Sequence, residues 1–340
     1  MNKILHLLDQ RFVLDLFTKE VLPLYPEFKK IDSIKITPIK KNVWETTYHV
    51  VVKYSIKLLK NRGRDLTLTV YCSAHSNEPR KNSFEALNYL WNKGFGHDHL
   101  TIPRPLFFSD FFNGYFYRGV HGNNLYHYIC NKNYVEIEKI VLKAAAWFAK
   151  LHKLPVEKAK NFNEQNSRIK TVIPGYDFIL KKLWINYPDY YQSYKQAFEL
   201  ISAKEEKFLK NPKNRWLIHG DAHPENVIKI SQKTIAVIDF TDICLADFAR
   251  DLGTFLQQFE YMFIQQNNDK NYVKKIQNLF LNNYLKLTNI KLNDSLKERI
   301  NYYYCWTALR TASLFFIKEQ PEPELAQKLL IQVHKKLNLN

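Results

Sequence analysis

Between Trp216 and Phe240 the chain carries His219-Gly220-Asp221-Ala222-His223-Pro224-Glu225-Asn226, a short apolar run, a Ser231-Gln232 turn, and a second run ending at Asp239-Phe240. The runs Val227–Ile230 and Ile235–Ile238 predict a strand–turn–strand hairpin. Such a hairpin presents Asp221 and Asn226 from one loop and Asp239 from the end of the returning strand, so the three side chains can converge. Phosphoryl transfer needs a set of this kind. The transferred group is highly charged, so divalent cations must be held over the phosphates and an acceptor hydroxyl aimed in line. Mg²⁺ prefers oxygen and takes only one or two carboxylates from a protein. Asn226 and Asp239 can supply metal ligands, which leaves Asp221 to accept or orient the proton of the acceptor hydroxyl.

Those residues need elements to place them. IDSIKITPIK, TTYHVVVKYSIKLL and DLTLTVYCSA are rich in Ile, Val, Thr and Tyr and predict strands over 32–75, joined in antiparallel hairpins, with NRGRD as a turn. From residue 77 to 93 the apolar period changes to that of a helix, with Phe84, Leu87, Leu90 and Trp91 on one face and Gly94 as its stop. Pro103 and Pro105 force an extended connection, and YFYRGV (115–120) is a short strand. After residue 122 the pattern is helical except for the island around Asp221. Residues 2–20 predict a surface amphipathic helix, since Asp9 and Arg11 interrupt the apolar stretch and no signal-peptide core forms. The order is a β-rich first third followed by a helical two-thirds, an α+β arrangement with segregated lobes.

The chain has 340 residues, 46% hydrophobic and 24% charged, the balance of a folded protein with a large core. Its net charge of +17 favours anionic partners. The lysines are scattered, however, and no nucleic-acid motif accompanies them, so no specific nucleic-acid partner is expected. Cys72, Cys130, Cys244 and Cys305 form no CxxC pair or zinc spacing and read as reduced thiols of a cytoplasmic protein. No apolar run approaches a transmembrane segment.

The spacing H-x-D-x-x-x-x-N, followed by Asp-Phe at a strand end, matches the catalytic-loop and metal-loop parts of the protein-kinase signature, with Thr241 where glycine usually follows. More specifically, HGDAHPENV together with AVIDFTDICLADFARDLG resembles the aminoglycoside phosphotransferase and choline kinase family. The resemblance implies a protein-kinase-like two-lobed fold. Residues 1–117 would form a small β-rich N-terminal lobe with one helix carrying Glu85, and residues 118–340 a larger helical lobe with the catalytic and metal loops. It implies ATP or GTP as phosphate donor, Mg²⁺, and a small hydroxylated acceptor. Phe116–Gly122 with Asn123-Asn124-Leu125 looks like the family's hinge strand, which assigns Arg118, Gly119 and Val120, with Glu85, to nucleotide binding. Leu151-His152 looks like the family's "LHxL" helix end. Asp251 is implied to hold the catalytic loop from beneath, with His219 and His223 as further supports, while Glu225 reads as a solvated loop residue.

Two stretches depart from the family. The loop Lys40–Thr47 has no glycine, and the third strand offers Thr69, Tyr71 and Ser73 where a phosphate-binding lysine is expected. A helix acid such as Glu85 calls for a cation in a semi-buried setting. Lys40, Lys41, Arg80 and Lys81 are within chain reach, with Lys40 or Lys41 favoured. The departures support an alternative reading as a pseudokinase-type binding protein. For the acceptor, Tyr261, Tyr302, Tyr303, Tyr304 and Trp306 read either as an aromatic wall or as core packing. The basic balance after residue 255 favours a sugar, amino alcohol or nucleoside over a polycationic aminoglycoside. The oligomeric state is left open.

Overall fold

The computed structural model describes residues 2–60, 63–78, 80–156 and 160–339. Asn61 and Arg62 of the expected NRGRD turn lie outside them. The chain forms two compact units, one running to Gly122 and including Ile230–Thr241, the other made of Asn123–Lys229 and the chain from Asp242 onward.

The first unit opens with a short 3-10 turn (Lys3–Leu8) and helix α1 (Gln10–Glu20). The expected single helix is broken at Asp9, whose side chain accepts the Phe12 N–H at 2.7 Å and so caps the second piece. Strands β1 (Lys30–Val43), β2 (Tyr48–Leu59) and β3 (Leu66–His75) follow as an antiparallel meander. Helix α2 (Arg80–Leu90) ends in a wider turn that Gly94 completes at φ +88°. Strands β5 (Arg104–Ser109) and β6 (Gly114–Arg118) complete the sheet, whose order is β1-β2-β3-β6-β5, while the short β4 (Leu100–Thr101) before them stands outside it. Pro38 lies in β1, an edge strand, where a missing donor costs no ladder bond.

Alternation along β2 and β3 sends Val50, Val52, Tyr54 and Ile56 with Leu68, Val70, Cys72 and Ala74 to one buried face. Phe17 of α1 fills that face, its ring 4.8 Å from Tyr54 and 5.8 Å from Phe116. The Tyr54 hydroxyl donates to the Leu7 carbonyl at 2.9 Å, so the amphipathic N-terminus is part of this core rather than an outlying helix. Thr69, Tyr71, Ser73 and His75 are thereby committed to the opposite face of β3.

In the second unit the short β7 (Asn123–Asn124) leads into α3 (Leu125–Cys130), α4 (Tyr134–His152), α5 (Tyr176–Asn186) and α6 (Pro188–Leu209). Strand β8 (Trp216–Ile218) precedes the Asp221 loop, and β9 (Val227–Lys229) follows it, pairing antiparallel with β7. The chain then contributes β10 (Ile235–Val237) to the first unit, parallel to β4. It returns as β11 (Cys244–Ala246), antiparallel to β8. Helices α7 (Ala249–Asn267), α8 (Lys270–Thr288), α9 (Asp294–Ile317) and α10 (Pro323–Leu337) finish the unit. Among the described residues no helix is long and apolar enough to cross a membrane.

Helix α7 carries the family-like DLG end and must sit tightly on α9. At Gly253 a Cβ would lie 2.6 Å from the Tyr304 nitrogen and 2.7 Å from the Ile300 oxygen, both backbone atoms that cannot step aside. In an isolated helix Gly→Ala gains about 1 kcal/mol. Overpacking against backbone costs about 1–3 kcal/mol, so the crowding should win. Gly253→Ala is expected to lower the thermal midpoint of the whole chain, measured by calorimetry; an unchanged or raised midpoint would show that the two helices can part at no cost.

Candidate active site

The loop after β8 is folded by its own polar groups. Gly220 adopts φ +83°, and a Cβ on it would lie 2.3 Å from the Asp242 carbonyl oxygen, so only glycine fits between the two passing backbones. His219 is fully buried, its ring set against Trp147 and Phe148. Its Nδ1 accepts the Asp221 N–H at 3.3 Å. Asn226 donates through Nδ2 to the Asp221 carbonyl at 2.9 Å and to its carboxylate at 3.3 Å. His223 Nε2 lies 3.3 Å from the same carboxylate oxygen.

Burial would raise the pKa of Asp221. The hydrogen bond and charge of His223, with the charges of Arg310 and His219, outweigh that and hold the carboxyl well below the usual carboxylate range. The loop therefore presents an ionised Asp221 and an Asn226 whose donating arm is committed to it.

Beneath the loop, Asp251 is completely buried. Its two oxygens accept the backbone N–H of His219 at 2.7 Å and of Gly220 at 2.9 Å. His152, at the end of α4, bonds the same carboxylate through Nε2 at 3.1 Å and Tyr284 of α8 through Nδ1 at 2.9 Å. Burial pushes Asp251 up, but the His152 and backbone donors prevail and its pKa stands below the ordinary value. Asp242, next to the loop, accepts from Asn166 Nδ2 at 2.7 Å and lies 3.8 Å from Arg310.

In the first unit Asp239 is exposed and sits at the left-handed φ of +63°, two residues after the end of β10. Thr241 ties it down, donating from Oγ1 to Asp239 Oδ1 at 2.8 Å. Thr241 Oγ1 in turn accepts from Arg80 Nη1 at 3.1 Å. Arg80, the first residue of α2, is buried and pairs with Glu78 at 2.8 Å. Ser73, in the strand where a lysine is expected, shares a side-chain hydrogen bond with Tyr115 of β6. Glu85 lies in the middle of α2, while Lys40 and Lys41 are exposed near the end of β1.

Arg118, Gly119 and Val120 come together in a cavity of about 240 Å³, lined also by Trp91, Ile102 and Ile230. Gly119 donates to the Thr69 carbonyl at 2.9 Å, and a Cβ on it would meet the Tyr71 ring at 2.5 Å.

The aromatic residues after 255 do not share one wall. Tyr302 and Tyr303 line one cavity, Tyr261 and Tyr304 another, and Trp306 lies buried under the guanidinium groups of Arg250 and Arg310. Sequence reasoning missed Thr241 as a partner for Asp239. It also missed Asn2, whose amide donates to the Trp44 carbonyl at 3.0 Å and ties down the glycine-free turn.

Because Asp251 has a depressed folded pKa, it stabilises the fold above its unfolded value of about 3.9 and loses that contribution as pH falls through the folded value. Asp251→Asn replaces an acceptor with a donor facing backbone N–H groups, at a cost of about 3–5 kcal/mol. The urea midpoint of Asp251→Asn should fall well below that of the parent at pH 7, and the gap should narrow below about pH 4. A gap independent of pH would mean that the charge of Asp251 is not what the loop depends on.

A β-rich first unit and a mainly helical second unit make this a kinase-like fold, and solved structures agree. A choline kinase from Cryptosporidium parvum Iowa II superposes with a TM-score of 0.61 at 13% identity, covering 96% of this chain and 95% of its own. A spectinomycin phosphotransferase in complex with ADP and spectinomycin gives 0.55 at 11%, covering 95% and 94%. An amicoumacin kinase in complex with AMP-PNP and Ca²⁺ gives 0.54 at 14%, covering 93% and 92%. Among curated proteins none matches the sequence. Residues 36–287 match the model of the phosphotransferase enzyme family, and the chain belongs to that family.

Proposed function

We propose that the chain transfers a phosphoryl group from a nucleoside triphosphate, ATP or GTP, to a hydroxyl of a small molecule, with Asp221 orienting that hydroxyl. The observation that carries this reading is the setting of Asp221. A carboxylate held ionised by His223 and bonded by Asn226, on a residue whose backbone N–H is tied to His219, accepts a hydrogen bond from an incoming hydroxyl without rearrangement. Its low pKa makes it a weak base, which a loose phosphoryl-transfer transition state tolerates, because the acceptor's proton need not leave early.

Mg²⁺ is the metal we assign. Asp239 supplies an exposed carboxylate whose orientation Thr241 fixes, and Asn226 a carbonyl oxygen whose amide partner is already committed. Both are hard oxygen ligands of the kind Mg²⁺ takes. When bound, the ion supplies positive charge for the transferring phosphates. The cavity at Arg118, Gly119 and Val120 suits the base of the nucleotide. Spectinomycin phosphotransferase has been solved with ADP and the amicoumacin kinase with AMP-PNP, which supports a nucleotide donor.

For the acceptor, the charge of Arg310 at Asp221 opposes a polycation, so a sugar or amino alcohol is favoured over an aminoglycoside. One observation favours the pseudokinase-type alternative: none of Thr69, Tyr71 and Ser73, the strand positions where the lysine is expected, carries a cation, and Ser73 is bonded to Tyr115. Thermal shifts with ATP, GTP and Mg²⁺, followed by an ADP- or GDP-release screen over hydroxylated metabolites, separate the two readings. Binding with turnover supports the enzyme, and binding without turnover on any acceptor supports the alternative.

Asp221→Ala should keep the nucleotide-induced thermal shift and lower turnover by about 10²- to 10⁴-fold, the usual worth of a positioned acid–base group. Turnover equal to the parent's would remove Asp221 from the mechanism. Asp239→Asn should shrink the Mg²⁺-dependent part of the ATP thermal shift, and Asn226→Ala should do so less, since only the former removes formal charge. If the shift in Asp239→Asn matches the parent's, the metal is held elsewhere.

A further inference from the structure

Two departures meet in the first unit. The family's strand lysine is absent, and Thr241 follows Asp239-Phe240 where the protein-kinase signature has glycine. Arg80 and Thr241, 161 residues apart, are joined by a hydrogen bond of 3.1 Å, and Thr241 passes the contact on to Asp239 at 2.8 Å. Arg80 is only 5% exposed, yet its Nε has no hydrogen-bond partner among the described residues.

Around it the charge is predominantly positive or able to become so. His49 Nε2 lies 3.4 Å from Arg80 Nη2, and the ring of His75, in register with His49 on the neighbouring strand, lies 4.8 Å from that of His49, tilted by 58°. Burial, followed by the charges of Lys40 and Arg80, pushes the pKa of His49 down to about 4, and burial also leads the lowering at His75. Glu78 is the one carboxylate paired with this group among the described residues, 2.8 Å from Arg80 and 3.4 Å from His75.

The position along β3 matters as much as the charge. At one end of the strand, Thr69 and Tyr71 touch Gly119 of the 240 Å³ cavity. At the other end stands His75, beside Glu78 and the charge of Arg80. Six residues at about 3.3 Å each separate Thr69 from His75, roughly 20 Å. An extended nucleoside triphosphate has a comparable length, so a base seated in the cavity would bring its phosphates toward Arg80.

We infer that Arg80 takes the place of the missing strand lysine and binds the phosphates of the donor nucleotide, with Thr241 holding it beside Asp239. The assignment rests on the phosphotransferase reading above. A guanidinium offers planar paired donors to phosphate oxygens, which a lysine ammonium does not. Glu78 occupies Arg80 before nucleotide arrives and must be displaced, so it competes with the phosphates.

The test is calorimetric titration of the full chain with Mg²⁺·ADP and Mg²⁺·GDP, and with adenosine and guanosine as ligands that lack phosphate. The parent should bind the preferred diphosphate more tightly than its nucleoside. Arg80→Ala should weaken the diphosphate by about 10- to 100-fold, the worth of a hydrogen bond to a charged group, and leave the nucleoside unchanged. Arg80→Lys should recover part of the loss. Glu78→Gln, which leaves Arg80 in place and guards against an Arg80 variant that fails to fold, should tighten the diphosphate several-fold. Diphosphate affinity unchanged in Arg80→Ala, equal loss of diphosphate and nucleoside, or unchanged or weaker diphosphate binding in Glu78→Gln would each overturn the assignment while leaving the phosphotransferase reading in place. A parent chain that binds no nucleotide would overturn both.

Discussion

The buried carboxylate of Asp251 is the constraint on which the Asp221 loop depends. A charge removed from water costs several kcal/mol unless hydrogen bonds replace its hydration. Here two backbone N–H groups and His152 do so, and the donors come from the loop itself and from α4. The loop cannot shift by much without stripping donors from a charge that has no access to solvent. His152 cannot turn away either, because its other nitrogen is engaged by Tyr284 of α8. One anion thus couples α4, α7, α8 and the segment that aims Asp221, and the stiffness of that segment follows from the penalty of leaving the anion unsatisfied.

One turn earlier on the chain, Asp247 shows that burial alone does not set such a site. It too is fully buried, accepting from the Ala249 N–H at 3.0 Å and from Arg299. Yet burial prevails there and its pKa is raised, whereas that of Asp251 is lowered. The difference lies in the donors: one oxygen of Asp247 has no hydrogen-bond partner among the described residues, while both oxygens of Asp251 are used. Hydrogen bonds to the ionised form outweigh desolvation at one carboxylate and fall short at the other. A functional loop is therefore better hung from Asp251 than from its neighbour.

The local parts of the site were legible because their chemistry is compressed into a few residues. His219, Asp221 and Asn226 lie within eight positions, so spacing alone could bring them together, and the alternation of β2 and β3 announced which face would be buried. Long-range contacts were not legible in this way. Arg80 reaches Thr241 across 161 residues, and Asn2 reaches the Trp44 turn across 42, and no periodicity encodes either pairing. Asp9 was legible in principle, since an Asp three positions before a helical N–H is an ordinary cap. The tyrosines read as either an aromatic wall or core packing divide for a simple geometric reason. Tyr303 and Tyr304 are successive residues of a helix, about 100° apart around its axis, and so line different cavities.

The net charge of +17 suggested anionic partners, but its distribution among residue types carries more meaning than its size. Among the described residues no lysine is buried, while Arg80 and Arg250 are. The sorting follows from hydration. An ammonium is a compact, strongly hydrated charge and resists burial, while a guanidinium is weakly hydrated and can lie on a ring. Arg250 stands 4.9 Å over the ring of Trp306, and Arg299 stands 3.9 Å over that of Phe208. Apart from Lys40, whose charge is felt at His49, the lysines of this part of the chain act by making the surface basic. The cations set beside Asp221 and Asp239 are arginines, Arg310 and Arg80, whose charges register at Asp221 in one case and reach Asp239 through Thr241 in the other.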